Sequence, residues 1–206
     1  MTVQSIERVF DIIELLSGEH RGLRLTEIAT RLDLHKSTVY RLMAVLRKRG
    51  YIEKGESNRY RIGVQFIGLS SAYLNNVELK TEAEPYLRKL SQETKQTVFL
   101  AMLQDREVVY LDKYEQFNSL RKYSVIGRRR PVYCTSLGKA MIMDRSDEEI
   151  ARFFAGIELR GFTSNTKTDL PSLLEDLHRS SRRGWSLDDE ELEPGENCVG
   201  APLYDY

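Results

Sequence analysis

Lys36, Ser37, Thr38, Tyr40, Arg41 and Arg47 crowd into one short stretch and share one chemistry: hydroxyl and cationic groups that donate hydrogen bonds. Between them Val39, Leu42, Met43 and Leu46 recur at helical spacing, so a helix here would bury one face and turn its donors outward. A helix divided in that way has the chemistry of a major-groove reader, because base edges offer acceptors and the flanking phosphates offer negative charge. Catalytic groupings find little support. His20, His35 and His178 sit in unrelated segments, none with a Cys or carboxylate at metal-ligand spacing. No Ser or Cys lies in a nucleophile-elbow pattern, and no glycine-rich phosphate loop occurs. The chain reads as a non-enzyme with neither metal nor cofactor.

The elements that must position those donors follow from the flanking residues. Thr26 is an N-cap candidate ahead of Glu27-Ile28-Ala29, with Leu25, Ile28, Ala29 and Leu32 on one apolar face, and it counts among the residues that could touch DNA. Asp33-Leu34 breaks this helix and Lys36-Ser37 opens the next, which ends in Arg47-Lys48-Arg49 with Gly50 as its C′ residue. Tyr51–Glu53 and Arg59–Ile62 are short strand patterns around a turn-forming loop, 54–58. Ahead of everything, Ile6, Val9, Phe10, Ile13 and Leu16 form a helical stripe that reads as core. Amphipathic helix pairs are common, and Arg59 and Arg61 would also suit a solvated hairpin face. Helix, corner, helix and hairpin together nevertheless make a winged helix-turn-helix over residues 1–63, with Lys54, Arg59 and Arg61 laid along the phosphate backbone.

Composition bounds the rest. The 206 residues fit one large or two small domains, and Lys plus Arg balance Asp plus Glu at 31 each. Residues 1–63 carry 12 basic against 8 acidic side chains, so a modest positive pole falls on the DNA-binding part. Cys134 and Cys198 form no disulfide framework and suit a reducing cytoplasm. No apolar run is long enough for a membrane span, and the amino end lacks the basic and apolar regions of a signal peptide.

Residues 64–78 read as a linker helix whose apolar seam of Phe66, Ile67, Leu69 and Tyr73 could pair with its twin, the alternative being packing on its own domain. A helix follows over 82–93, with Pro85 in its first turn and Tyr86, Leu87 and Leu90 on its buried face. The period then switches to a β-hairpin over 98–111 and a third strand at 120–126. Helices are expected at 136–143, at 148–154 behind the Ser146–Glu149 capping box, and at 170–183 between Asp169 and Gly184. Residues 185–187 and 199–204 would return to the sheet, giving an α+β domain with helices on one face over 79–206.

Three features of this second domain converge on a pocket. Thr135 to Lys139 places hydroxyls and free N–H groups at a helix start, which favours an anion or carboxylate. Asp188 to Glu191 form an acidic loop that ends at Cys198, and Arg121, Lys122, Arg128, Arg129 and Arg130 surround Gly127. Each has an ordinary alternative: Ser136 as a plain N-cap, a solvated acidic loop, a basic surface. Joined to a DNA reader, they point to a small-molecule sensor. Two other readings stay open at this level: a redox sensor or enzyme using Cys134 or Cys198, and a pure dimerisation module.

The order "SIERVFDIIELL", "LTEIATRLDLHKSTVYRLMAVLRKRGYIE", "RYRIG", "TSLGKAM" and "DDEELEPGENCVGAPLYDY" resembles the IclR family of bacterial transcriptional regulators along essentially the whole chain. Within it, "LRKYSVIGRRRPVYCTSLGKAM" looks most like the regulators of 2-keto-3-deoxygluconate and pectin catabolism, the KdgR group. The resemblance implies a homodimer or dimer of dimers, a palindromic operator, and a GAF-like α+β domain that binds a small organic acid. A repressor of a sugar-acid catabolic operon is the function it implies. Carried onto this sequence, the ligand-facing positions fall at Ser136, Leu137 and Gly138, at Asp188 and at Cys198. The first residues would offer backbone donors to a carboxylate, Asp188 would accept from a ligand hydroxyl, and Cys198 would line the wall. Relatives continue past the sequence matched by Leu203–Tyr206, so the effector domain is expected to be incomplete here, with an uncovered sheet edge.

Overall fold

Helix α1 (Gln4–Ser17) opens the chain, and it buries a face rotated from the expected stripe. Ile12 and Leu16 are sealed, Val9 and Ile13 are half-buried, and Ile6 and Phe10 stand more than half exposed at 53% and 55%. This is a computed structural model that describes residues 3–76, 78–115 and 125–204. The chain divides into two compact units, Met1–Glu78 and Leu79–Tyr206.

In the first unit a two-residue strand β1 (Leu23–Arg24) runs into α2 (Leu25–Arg31). The helix starts at Leu25, two residues before the Glu27 start that would make Thr26 its cap. Arg24 is the N-cap, and the Glu27 carboxylate reaches back to accept the Arg24 N–H at 2.6 Å, leaving Thr26 exposed in the first turn. At the corner Asp33 takes a left-handed φ of 49°, and Leu34 N–H donates to Ala29 O at 2.9 Å. Short polar side chains tolerate that conformation better than most. Helix α3 (Lys36–Lys48) follows, its first turn capped by His35, whose Nδ1 accepts the Ser37 N–H at 3.4 Å. Arg49 closes it and Gly50 follows at φ 77°.

Strands β2 (Ile52–Lys54) and β3 (Arg59–Ile62) form an antiparallel wing, with Ile52 opposite Ile62 and Lys54 opposite Tyr60. Strand β1 pairs with the other edge of β3. The core beneath is apolar throughout, built on Ile12, Leu16, Ile28, Val39, Met43, Leu46 and Ile52. Helix α4 (Gln65–Asn75) closes the unit, with Phe66 edge-on against Tyr51 at 5.3 Å between ring centres. Its Ile67, Leu69 and Tyr73 are exposed.

The second unit begins on α5 (Glu78–Thr94), which starts earlier than its sequence pattern indicated and so carries Pro85 in its interior. Tyr86 and Leu90 are exposed; the buried face is Ala83 and Ser91. A polar anchor selects that face, because Ser91 Oγ donates to the carbonyls of Gln96 and Tyr114 at 2.9 and 3.3 Å. Strands β4 (Val98–Gln104) and β5 (Glu107–Tyr114) form the expected hairpin, with an irregularity between Leu100 and Ala101.

Of the strand expected at 120–126, residues 120–124 lie outside the described residues, and so do Arg121 and Lys122. Ile126 and Gly127 form a turn, and β6 (Arg129–Pro131) pairs with β5 on the edge away from β4. Helices α6 (Ser136–Ile142), α7 (Asp147–Phe153) and α8 (Leu170–Arg183) follow, α7 behind the reciprocal Ser146–Glu149 cap and α8 behind Asp169. Strands β7 (Ser186–Asp189) and β8 (Asn197–Gly200) pair with each other as a separate two-stranded sheet. Among the described residues they do not extend the β4–β5–β6 sheet, which corrects the expectation that they rejoin it. Contact with α6 explains the difference. Both strands pack on that helix, and a Cβ on Gly200 would lie 2.6 Å from the backbone of Ser136.

Candidate DNA-binding and effector sites

The outward face of α3 is built by burying the inward one. With Val39, Met43 and Leu46 sealed in the core, helical geometry leaves Lys36, Ser37, Tyr40, Arg41 and Arg47 exposed, Tyr40 at 63%. Thr38 is half-buried. His35, which sequence reasoning left unassigned, fixes the start of this surface: its Nδ1 also lies 2.7 Å from Ser37 Oγ. Arg47 lines a shallow groove of about 490 Å³ together with Ile52, Glu53, Lys54 and Val64.

The two wing arginines differ. Arg59 is half-buried and turns inward, donating to Gly22 O at 2.7 Å and facing the Glu27 carboxylate at 3.3 Å. Its guanidinium braces the wing to α2, which a reading of spacing alone could not detect. Arg61 is exposed and pairs with Glu53 at 2.5 Å across the β2–β3 register. Lys54 is exposed with its Nζ 5.7 Å from the Tyr60 ring centre.

In the second unit the effector positions converge around the start of α6. Thr135, not Ser136, is the N-cap: its Oγ1 accepts the Gly138 N–H at 3.2 Å and donates to Pro131 O at 3.0 Å. Ser136 is therefore the first helical residue, buried, and its carbonyl accepts a short hydrogen bond from Ser186 Oγ on β7. Gly138 is a packing residue, because an added Cβ would meet Val132 O at 2.3 Å. Leu137 between them is half-buried. These contacts lock α6 under the β7–β8 hairpin, where Asp188 and Cys198 stand opposite one another in register.

Asp188 is buried, and its Oδ1 accepts the Glu191 N–H at 2.8 Å. Burial pushes its carboxyl up to about 6, the Glu191 N–H working against that rise and the Glu191 charge adding to it. Burial, with the nearby Asp188 charge, pushes the Cys198 thiol up to about 11. Cys134 rises to about 12, again by burial first and then through Asp188 and Glu191. Both thiols are protonated at neutral pH, the opposite of what a nucleophilic or redox cysteine needs. Tyr110 on β5 joins the group: burial raises its hydroxyl, and Cys198 and Asp188 raise it further.

The basic run divides. Arg130 reaches the acidic loop through Glu193 at 3.0 Å, whereas Arg129 turns to Glu107 and Gln104, and Arg128 is exposed.

One residue was missed outright. Lys139 is fully buried and sits 2.6 Å from both Asp176 on α8 and Glu191 on the acidic loop. Burial alone would raise Asp176, but the Lys139 hydrogen bond and charge, with Arg179, hold its carboxyl below the usual range. The signal was a lysine inside an otherwise apolar helix turn, which demands buried anions nearby.

A winged helix-turn-helix with an outward donor face, joined to a separate α+β unit with a buried polar interior, defines a DNA-binding regulator. Residues 5–56 match the family described as "IclR helix-turn-helix domain", and residues 71–206 match "Bacterial transcriptional regulator IclR C-terminal". The chain belongs to the IclR family of transcriptional regulators and is not an enzyme. It is 36% identical over 205 residues to the HTH-type transcriptional regulator KdgR of Escherichia coli K12, covering 99% of this chain and 78% of that protein. The KdgR of Dickeya chrysanthemi is 34% identical, covering 99% of this chain and 67% of that protein. Among solved structures, the IclR transcriptional regulator of Alicyclobacillus acidocaldarius superposes with a TM-score of 0.84 at 25% identity, covering 100% of this chain and 83% of that one. No helix among the described residues is long and apolar enough to cross a membrane.

Proposed function

We propose that this protein represses a sugar-acid catabolic operon from the cytoplasm, as a homodimer or dimer of dimers, and releases its operator when a small organic acid binds the second unit. Residues 1–63 would hold the duplex, 64–78 would link the protomers and 79–206 would bind the effector. Helix α3 lies in the major groove, where Lys36, Ser37, Thr38, Tyr40 and Arg41 read base edges, while Thr26, Arg47 and the exposed wing cations meet phosphates. The single observation that carries this reading is a helix sealed by Val39, Met43 and Leu46 that exposes the donors Lys36, Ser37, Tyr40, Arg41 and Arg47.

On the effector side, the N–H groups of Ser136 and Leu137 face a ligand carboxylate above Gly138, Asp188 accepts from a ligand hydroxyl, and Cys198 closes the wall. Effector can change operator affinity only by its differential affinity for two placements of the winged helices. The test is an operator selected from a random duplex pool, followed by titration with 2-keto-3-deoxygluconate. Release at saturating ligand supports the reading; an unchanged gel shift, with heat of binding seen by calorimetry, would leave the ligand without a regulatory role and overturn it.

A further inference from the structure

The acidic run 188–191 is only partly solvated: Asp189 is exposed, but its two ends turn inward. Glu191 is 2% exposed and Asp188 is 5% exposed. Side-chain donors hold the backbone of the turn: Thr166 Oγ1 donates to Glu191 O at 2.6 Å, Thr163 Oγ1 to Glu190 O at 2.6 Å, and Asn165 Nδ2 to Asp189 O at 3.0 Å. From inside, Lys139 holds it, with Lys167 farther off at 3.5 Å from the same Glu191 oxygen. Lys139 Nζ contacts Glu191 Oε1 and Asp176 Oδ2 at 2.6 Å each, tying α6, α8 and the loop together. Glu191 Oε2 is buried and, among the described residues, has no hydrogen-bond partner.

A buried ion triad is a poor device for stability, since apolar side chains of similar volume often do as well. What it supplies is position and charge. Glu191 is the residue whose N–H meets Asp188, so whatever fixes Glu191 also fixes the acceptor on β7.

We infer that Lys139 is a positioning residue for the effector site: through Glu191 it sets both the placement and the ionisation of Asp188, and so couples effector uptake to protonation. This rests on the reading of Asp188 as an effector acceptor. The groups acting on Asp188 come from several elements. Lys139 on α6 lowers its carboxyl, Glu191 in the loop raises it, and Cys198 on β8, Cys134 before α6 and Tyr110 on β5 are neutral neighbours at pH 7. Lys167 stands 3.5 Å from Glu191, and Asp176 with Arg179 lies behind Lys139. A ligand hydroxyl donates best to the ionised carboxylate, so effector binding tightens as pH rises through the Asp188 midpoint.

The test reads that midpoint directly, without a ligand. In the full chain labelled with ¹³C-aspartate, the Asp188 side-chain carbon is assigned by its loss in Asp188→Asn and titrated by NMR. Lys139→Met is expected to move the midpoint up, and Glu191→Gln to move it down, each by about 1 pH unit. Opposite shifts are something a merely structural role would not produce. Midpoints that stay put, or that move in the same direction, overturn the inference. If Lys139→Met fails to fold by circular dichroism, Glu191→Gln decides alone: it keeps the volume and the Lys139–Asp176 pair, and an unmoved midpoint sinks the proposal. Calorimetry with 2-keto-3-deoxygluconate on the wild type separates the two claims. No heat there, with the midpoints moving as expected, would refute the effector reading and leave the Lys139–Asp188 coupling standing.

Discussion

The two units bury opposite kinds of side chain. Around α3 the interior is apolar and the charges are outside, whereas around α6 a lysine, three carboxylates and two thiols lie buried or half-buried. Each arrangement matches a task. A duplex is large and is met at a surface, so donors need only a rigid helix beneath them. A small-molecule effector is met in an interior, where low dielectric strengthens each polar contact and makes an unpaired one costly. Charge placement therefore separates the two functions before any ligand is considered.

The comparison can be broken first at the packing of α6. Gly138→Ala forces a Cβ against Val132 backbone atoms that cannot yield, and is expected to cost about 3 kcal/mol or more. Calorimetry of the full chain should show the second unit melting earlier while α3 still binds DNA. An unchanged melting profile would mean that α6 and its neighbours are loosely packed.

Asp188→Asn should act in the opposite direction. The folded carboxyl sits at about 6 against an ordinary value of 3.8, so the stability tied to its neutral form is complete below about 4 and disappears as pH rises through 6. A neutral asparagine escapes that loss. Denaturant unfolding should show the variant more stable by about 2–3 kcal/mol at pH 8 and no different at pH 4, with effector binding gone. Equal stability at both pH values would remove the claim that burial raises the Asp188 carboxyl.

Arg41→Ala should leave folding intact, because the side chain is exposed, and weaken operator binding by about 1–3 kcal/mol. Retained affinity in a gel shift would count against α3 as the reading helix. The smallest effect divides the wing. Arg59→Ala should lower stability by about 1 kcal/mol through lost contacts to Gly22 and Glu27, with little change in the salt dependence of binding. Arg61→Ala should leave stability alone and flatten that salt dependence by roughly one charge. Reversed outcomes would exchange their roles.

The donor face of α3 was legible from sequence because helical periodicity and surface exposure are local consequences of one stretch of chain. The caps at Ser146 and Asp169 and the β4–β5 hairpin were legible for the same reason. Thr26 misled because the carboxylate of Glu27 competes for the capping position one turn away. Tyr86 and Leu90 misled because periodicity finds an apolar stripe without saying which stripe has a neighbour.

By itself, the sequence determined that a helix with outward donors is followed by a hairpin, and that an acidic run and a hydroxylic helix start occur in one later domain. Only the tertiary structure decided that Arg59 faces inward, that β7 and β8 pair apart from the larger sheet, and that Lys139 joins Asp176 and Glu191 across 37 and 52 positions of chain. The reason is physical. Exposure and turn preference are set by near neighbours, whereas the partner of a buried charge is set by whichever segments the core brings within about 3 Å of it.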